Sequence, residues 1–258
     1  MSLKSLNVSK KTHKFLLDKL KDRRTLQIYK KFESNLPIKK NFIVAVSGGP
    51  DSLALAFLAK IYSIKKKLTA KFLIIDHKIR KESTKEALKV KKTLKKYSIN
   101  AEILTWKGKK PTSNVQSTAR NERYRLLFQR SKKLNVNNIL LGHHQDDLFE
   151  NFFIRILRGR GLKGLVSLKK KNKIENKILL RPLLNYKKQD LIYISKKVFN
   201  FYIIDPSNEN DKYLRIKVRK MINELQKNGL DKKKFNKTID NLKKSNEVIS
   251  FYVNENLF

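Results

Sequence analysis

The chain has 258 residues, 40% of them hydrophobic, enough for one large domain, or a main domain with a small appendage, around a sizeable core. Sixty-one Lys and Arg against 22 Asp and Glu leave a net charge of +39, and the self-repulsion this creates is relieved best by a polyanionic partner, nucleic acid ahead of a membrane surface. The lack of cysteine excludes disulfides, thiolate metal sites and a cysteine nucleophile, and no apolar run is long enough to span a bilayer or serve as a signal segment, so a cytoplasmic protein with no membrane partner is expected.

In chain order, Phe15, Leu16, Leu20, Leu26 and Tyr29 recur at helical spacing and predict a helical extension over residues 1–34. Short apolar runs then alternate with longer amphipathic stretches. Strands are expected at Phe42–Ser47, Lys71–Asp76, Glu102–Trp106 and Asn138–Gly142, with a later one near Phe201–Ile204. Helices are expected at Asp51–Ile64, Lys81–Tyr97, Ser113–Leu134, Asp146–Leu157 and Tyr186–Phe199. Lys163–Lys177 carries six lysines without clear periodicity and reads as an exposed loop or short hairpin. Lys212–Asn228 and Lys232–Tyr252 read as two final helices. This alternation specifies an α/β fold, a doubly wound, mostly parallel sheet over residues 35–210, with a short C-terminal helical appendage over 211–258.

The chemistry concentrates where strands end. Ser47-Gly48-Gly49-Pro50-Asp51-Ser52 lies between an apolar strand and an apolar helix, so backbone N–H groups and the positive helix end converge on an anion. The two glycines permit close backbone approach, Ser47 and Ser52 offer hydroxyls, and Asp51 suits a magnesium ion. The stretch lacks the lysine of GxxxxGK[ST] and the third glycine of GxGxxG. Read plainly, it could also be a strand-to-helix turn with a capping residue.

Asp76 and His77 close the second strand, and Gln116, Arg120 and Arg123 or Tyr124 share a helix face that could present a basic strip. Leu141-Gly142-His143-His144-Gln145-Asp146-Asp147-Leu148-Phe149-Glu150-Asn151 holds the densest ionisable cluster. Asp146 or Asp147 with Glu150 lies one helical turn apart, expected to face the crevice of the first loop. The spacing is not the HExxH of a zincin, and carboxylates that serve magnesium, a cationic substrate or a proton fit it better.

SGGPDS resembles the pyrophosphate loop of the PP-loop ATP pyrophosphatase superfamily. Together with DHKIR, QSTARNERY, LGHHQDDLFEN, the basic loop RGRGLKGL, RPLL and DPSN, in that order, the chain from Phe42 to Arg219 resembles the tRNA(Ile)-lysidine synthases. The resemblance implies a Rossmann-like sheet of the adenine nucleotide alpha hydrolase type. It also implies a two-step reaction on cytidine 34 of the CAU anticodon of tRNA(Ile). ATP adenylates the C2 oxygen and releases pyrophosphate, and the ε-amine of free L-lysine then displaces AMP. By matching positions, Ser47, Gly48, Gly49, Pro50, Asp51, Ser52, Asp76 and His77 would hold ATP, and Asp51 and Asp147 magnesium. Asp51, Asp146, Asp147 and Glu150 would carry the catalysis, and Arg120, Arg158, Arg160, Lys163, Arg215 and Arg219 would contact tRNA or phosphate.

The chain departs from the family pattern at Asn151, usually Thr, and at Ile216, usually Asn beside the arginine. Many members carry further C-terminal tRNA-gripping domains, whereas about forty residues follow Arg219 here, and the +39 charge is expected to compensate. A homodimer is compatible with the sequence. The alternatives are another tRNA-modifying relative of the 2-thiocytidine synthetase type, which depends on cysteines this chain lacks; a GMP or NAD synthetase, which leaves the basic surface unexplained; and a catalytically silent RNA-binding relative, which would not need Asp51 or the acidic cluster.

Overall fold

A computed structural model describes residues 13–109, 111, 113–205 and 213–255. The chain divides into two compact units, one formed by Met1–His144 with Lys170–Ile204 and the other by Gln145–Lys169 with Asp205–Phe258. The N-terminal helices therefore belong with the sheet, and the segment 145–169 joins the C-terminal helices.

The first unit is built on six strands, β1 (Phe42–Val46), β2 (Ala70–Asp76), β3 (Ala101–Thr105), β4 (Asn138–Leu140), β5 (Lys171–Ile174) and β6 (Lys177–Leu180), in the order β3-β2-β1-β4-β6-β5. All neighbours are parallel except the β5–β6 hairpin. In register, Val44 stands between Phe72 on one side and Leu140 on the other. The strand order turns back between β1 and β4, and such a switch point opens a crevice at the carboxyl ends of the strands.

Side-chain alternation assigns the two faces. Phe42, Val44 and Val46 of β1 join the larger core with α1 (Arg23–Asn35), α2 (Pro50–Lys65), α3 (Ser83–Lys95) and α6 (Lys188–Phe199). Ile43 points the other way and joins Leu73, Ile139 and Leu179 beneath Leu127 of α4 (Val115–Lys133). Helices on both faces make the sheet doubly wound, as the sequence pattern requires. Helix α2 is apolar almost all round, and Leu53 to Ala59 are fully buried. That is the signature of a helix sandwiched in a core rather than lying on a surface. The entry to α1 is fixed by Asp22, whose carboxylate accepts from the Thr25 hydroxyl at 2.7 Å and N–H at 2.9 Å; these bonds draw its pKa down to about 2.

One expected strand is corrected. Residues 201–204 form no strand; the Ile203 N–H makes a 2.9 Å bond to the Gly48 carbonyl, while β6 takes the sheet position beside β4. The lysine-rich stretch supplies that hairpin, whose turn places Glu175 at φ 51°.

The second unit consists of α5 (Gln145–Ile156), a single helical turn at Leu162–Leu165, α7 (Leu214–Lys227) and α8 (Lys232–Glu255). Its centre is aromatic. The Phe235 ring sits 5.0 Å from Phe149, 5.3 Å from Phe152 and 5.2 Å from Phe153, so its aromatic side chain packs α8 onto α5. No helix among the described residues is long and apolar enough to cross a membrane.

Candidate active site

Residues Ser47 to Ser52 connect the carboxyl end of β1 to α2. Gly48 has φ +90°, a left-handed conformation that glycine tolerates. A Cβ there would lie 2.5 Å from Val90 Cγ2 and 3.0 Å from Ile203 Cδ1, so the position is closed both conformationally and sterically. Gly49 is the N-cap of α2 in extended conformation, Pro50 occupies the first turn, and no side chain caps the helix. The positive end of a sixteen-residue helix is thus without a side-chain cap, an arrangement that suits an anion.

Ser52 holds the turn together. Its hydroxyl accepts from the Ser47 and Gly48 N–H groups, both at 3.1 Å, and donates to the Gly49 carbonyl at 3.0 Å. From below, the Ser195 hydroxyl of α6 donates to the Pro50 carbonyl at 2.5 Å. From the β4 side Gly142 abuts the loop, where a Cβ would come within 3.3 Å of the Ser52 Cα.

Asp51 sits in the first turn of α2 with its side chain a quarter exposed. Its Oδ2 lies 3.5 Å from Nε2 of the buried His144, while Oδ1 is buried without a hydrogen-bond partner. A carboxylate oxygen in that state suits a hard cation. Among the described residues no group of three or more His, Asp or Glu side chains is arranged to hold a metal. Magnesium fits such a place, because it is commonly held by one or two carboxylates with the remaining positions taken by water and substrate phosphates.

Asp76, expected among the ATP-binding residues, is 2% exposed at the end of β2. Its carboxylate accepts from Thr84 Oγ1 at 2.7 Å, Ser83 Oγ at 2.8 Å and Lys78 N–H at 3.0 Å. Burial acts to raise its pKa, but these bonds prevail and hold it below the usual carboxylate range. Asp76 therefore ties the DHKIR turn to the start of α3. His77 beside it is pushed down to about 4, by burial first and by Arg123 second, and is neutral at pH 7. Between the unfolded value near 6.5 and about 4, the unfolded chain takes up a proton that folded His77 refuses. Stability should fall as pH falls through this window, and in His77→Gln the decline between pH 6.5 and 4 should be shallower in denaturant titrations.

On α4, Arg120 is exposed with its guanidinium 5.5 Å from the Tyr124 ring. Burial pulls the pKa of Arg181, 3% exposed after β6, downward, and a hydrogen bond with Tyr124 opposes it.

The acidic cluster lies on α5 in the second unit, and each of its members is met by a cation of that unit. Arg215 donates to Glu150 Oε2 at 2.5 Å and to Asp147, and Arg219 donates to Glu150 Oε1 at 2.7 Å. Lys232 reaches Asp146 Oδ1 at 2.9 Å. Glu150 is 2% exposed, and its two oxygens are met by those two guanidinium groups. Arg215 and Arg219, expected among the RNA contacts, are turned onto Asp147 and Glu150, and Ile216 at the departure from the family pattern is buried. Arg158, Arg160 and Lys163 are exposed around the turn after α5. Of DPSN only Asp205 lies among the described residues. Arg215→Met should lower the stability of this unit by about 3 kcal/mol by leaving buried carboxylate charge under-compensated, readable as an earlier urea transition.

A family model described as a PP-loop domain matches residues 18–226. The chain belongs to the PP-loop domain family. The tRNA(Ile)-lysidine synthase of Orientia tsutsugamushi (strain Boryong) is 42% identical over 179 residues, covering 69% of this chain and 40% of that protein. The enzyme of the same name from Rhodopseudomonas palustris is 34% identical over 191 residues, covering 73% and 55%. The chain thus spans about half the length of these relatives. Among solved structures, the U34-tRNA thiolase NcsA from Methanococcus maripaludis, with its 4Fe–4S cluster, superposes with a TM-score of 0.72 at 18% identity over 87% of this chain and 79% of that one, a likeness of fold. The SGGPDS turn is the part of this domain that resembles the pyrophosphate loop. Sequence reasoning singled out this turn and the carboxylates of α5 as candidates, but not the parts of Ser195 and Asp76 in holding the two turns. Gly142, a glycine two positions past the end of β4, carried a local hint of close approach.

Proposed function

We propose that this chain is a tRNA(Ile)-lysidine synthase acting in the cytoplasm on ATP, free L-lysine and the CAU anticodon of tRNA(Ile). The observation that carries the first half of the reaction is the uncapped N-terminus of α2 with the partnerless Asp51 Oδ1 in its first turn. That pairing of helix end and lone carboxylate oxygen fits a magnesium-bound triphosphate. Bound there, magnesium would offset the charge of the departing pyrophosphate. The PP-loop residues hold the phosphates. The C2 oxygen of cytidine 34 attacks the α-phosphorus, a C–O–P linkage forms, and pyrophosphate leaves with the electron pair of the broken bond. Adenylation has turned the carbonyl oxygen from a poor leaving group into a good one, so the lysine ε-amine attacks C2 and AMP departs with the electron pair of the C–O bond. The amine must shed a proton, and Asp146, Asp147 and Glu150 are the carboxylates assigned to receive the ammonium and the proton. The acceptor half of the reading rests on the names of the relatives and on the basic chain.

Incubating the protein with ATP, magnesium, labelled lysine and tRNA(Ile) bearing CAU tests both halves. Label should enter the tRNA with release of AMP and pyrophosphate. Pyrophosphate release without lysine incorporation would remove the acceptor assignment, and no tRNA-dependent pyrophosphate release would remove the whole. Because the binding of a +39 chain to tRNA releases counterions, affinity should fall steeply with salt. With six or more phosphate contacts, filter binding should show a loss of about a thousandfold between 50 and 200 mM salt.

A further inference from the structure

We infer that the distal part of α8 is a self-association surface on which a second copy of this chain docks antiparallel. The first half of α8 is held by Phe235 and by Ile239, which is fully buried. After Asn246, 7% exposed, that support ends. Val248, Ile249, Phe251, Tyr252 and Val253 are each more than half exposed, so five of the seven residues from 247 to 253 offer large apolar side chains to water. A helix of this length, about 36 Å, gains nothing from such an end unless another surface covers it.

Charge identifies the cover. The helix is divided along its axis. Residues 232–244 contain six lysines and one aspartate, whereas 245–255 contain no Lys or Arg and two glutamates, Glu247 and Glu255. In a chain where about one residue in four is basic, an exposed apolar stretch free of cations is not a site for tRNA phosphates or an anionic membrane. Its natural complement is apolar and flanked by lysines, and α8 itself provides that. Pairing two copies antiparallel, with the two-fold axis beside Ile249 and Ser250, sets Val248 opposite Phe251 of the second copy and Glu255 opposite its Lys244. An isologous contact of this kind satisfies both ends at once. The overall repulsion between two +39 chains is screened beyond about 8 Å at 0.15 M salt, while contacts at the seam persist.

Light scattering and sedimentation of the full chain at 0.15 M salt should give twice the monomer mass. Val248→Asp with Tyr252→Asp should give the monomer mass with an unchanged thermal transition of the sheet unit. Lys244→Glu and Glu255→Lys should each weaken the dimer about tenfold, and the double exchange should restore it. A monomer at 100 μM, a dimer indifferent to the aspartate substitutions, or a charge exchange that fails to restore association would each overturn the assignment. Restoration by the double exchange separates antiparallel pairing from nonspecific apolar association.

Discussion

Replacing Asp51 by alanine should reduce tRNA-dependent pyrophosphate release by about a thousandfold, equivalent to about 4 kcal/mol of transition-state stabilisation. The side chain is a quarter exposed, and its Oδ2 lies 3.5 Å from Nε2 of the His144 ring. Removing it should therefore leave folding nearly untouched, whereas it takes away the one buried carboxylate oxygen in the PP-loop that no protein group satisfies. Asp51→Asn separates charge from shape. It keeps the volume and should lose nearly as much activity, because the amide is a far weaker ligand for a hard divalent ion. Isothermal titration of magnesium–ATP reports the same loss without turnover. Asp51→Ala binding magnesium–ATP as tightly as the parent protein would take the carboxylate out of the site.

Gly48→Ala should be the most damaging single-methyl change in the protein. Two separate costs meet there. The φ of +90° is outside the range an alanine adopts without strain, about 1–3 kcal/mol, and the new Cβ lies 2.5 Å from Val90 Cγ2, adding an overpacking cost of about 1–3 kcal/mol. The apparent ATP dissociation constant should rise with the loss of stability, since the displaced backbone is the one proposed to cradle the phosphates. A double-mutant cycle with Val90→Ala divides the two. Relief of the clash should recover only the packing share, leaving the backbone share in the thermal transition. Complete recovery would mean that the conformation at Gly48 is not strained for a side chain.

Much of the first unit was legible because each central strand is a short apolar run ended by polar residues. β1, β2 and β3 fall within a residue or two of the expected bounds, and the alternation of Val44 against Ile43 assigns their faces. The edge was harder. β5 has lysines at two of its four positions, and β6 buries only Leu179 deeply, so neither stands out from a basic loop, whereas the apolar Phe201–Ile204 imitates a strand without a neighbour to pair with. Among the candidate site residues, Ser47 to Ser52 stood out because their pattern is local to one turn. The partners of Glu150 did not. Arg215 and Arg219 come from more than sixty residues away and looked, in one dimension, like any other arginines of a basic chain.

The PP-loop is buttressed by residues made much later than itself. Ser195, which fixes the Pro50 carbonyl, is 145 positions downstream, and Ile203, which pairs with Gly48, is more distant still. A chain emerging from the ribosome thus exposes the glycines and Asp51 long before α6 exists to shape them. Contacts of such long sequence separation form slowly and late. The nascent protein should accordingly be indifferent to ATP until the chain through Ile203 has been synthesised, and nucleotide can stabilise only a molecule whose sheet unit has already closed.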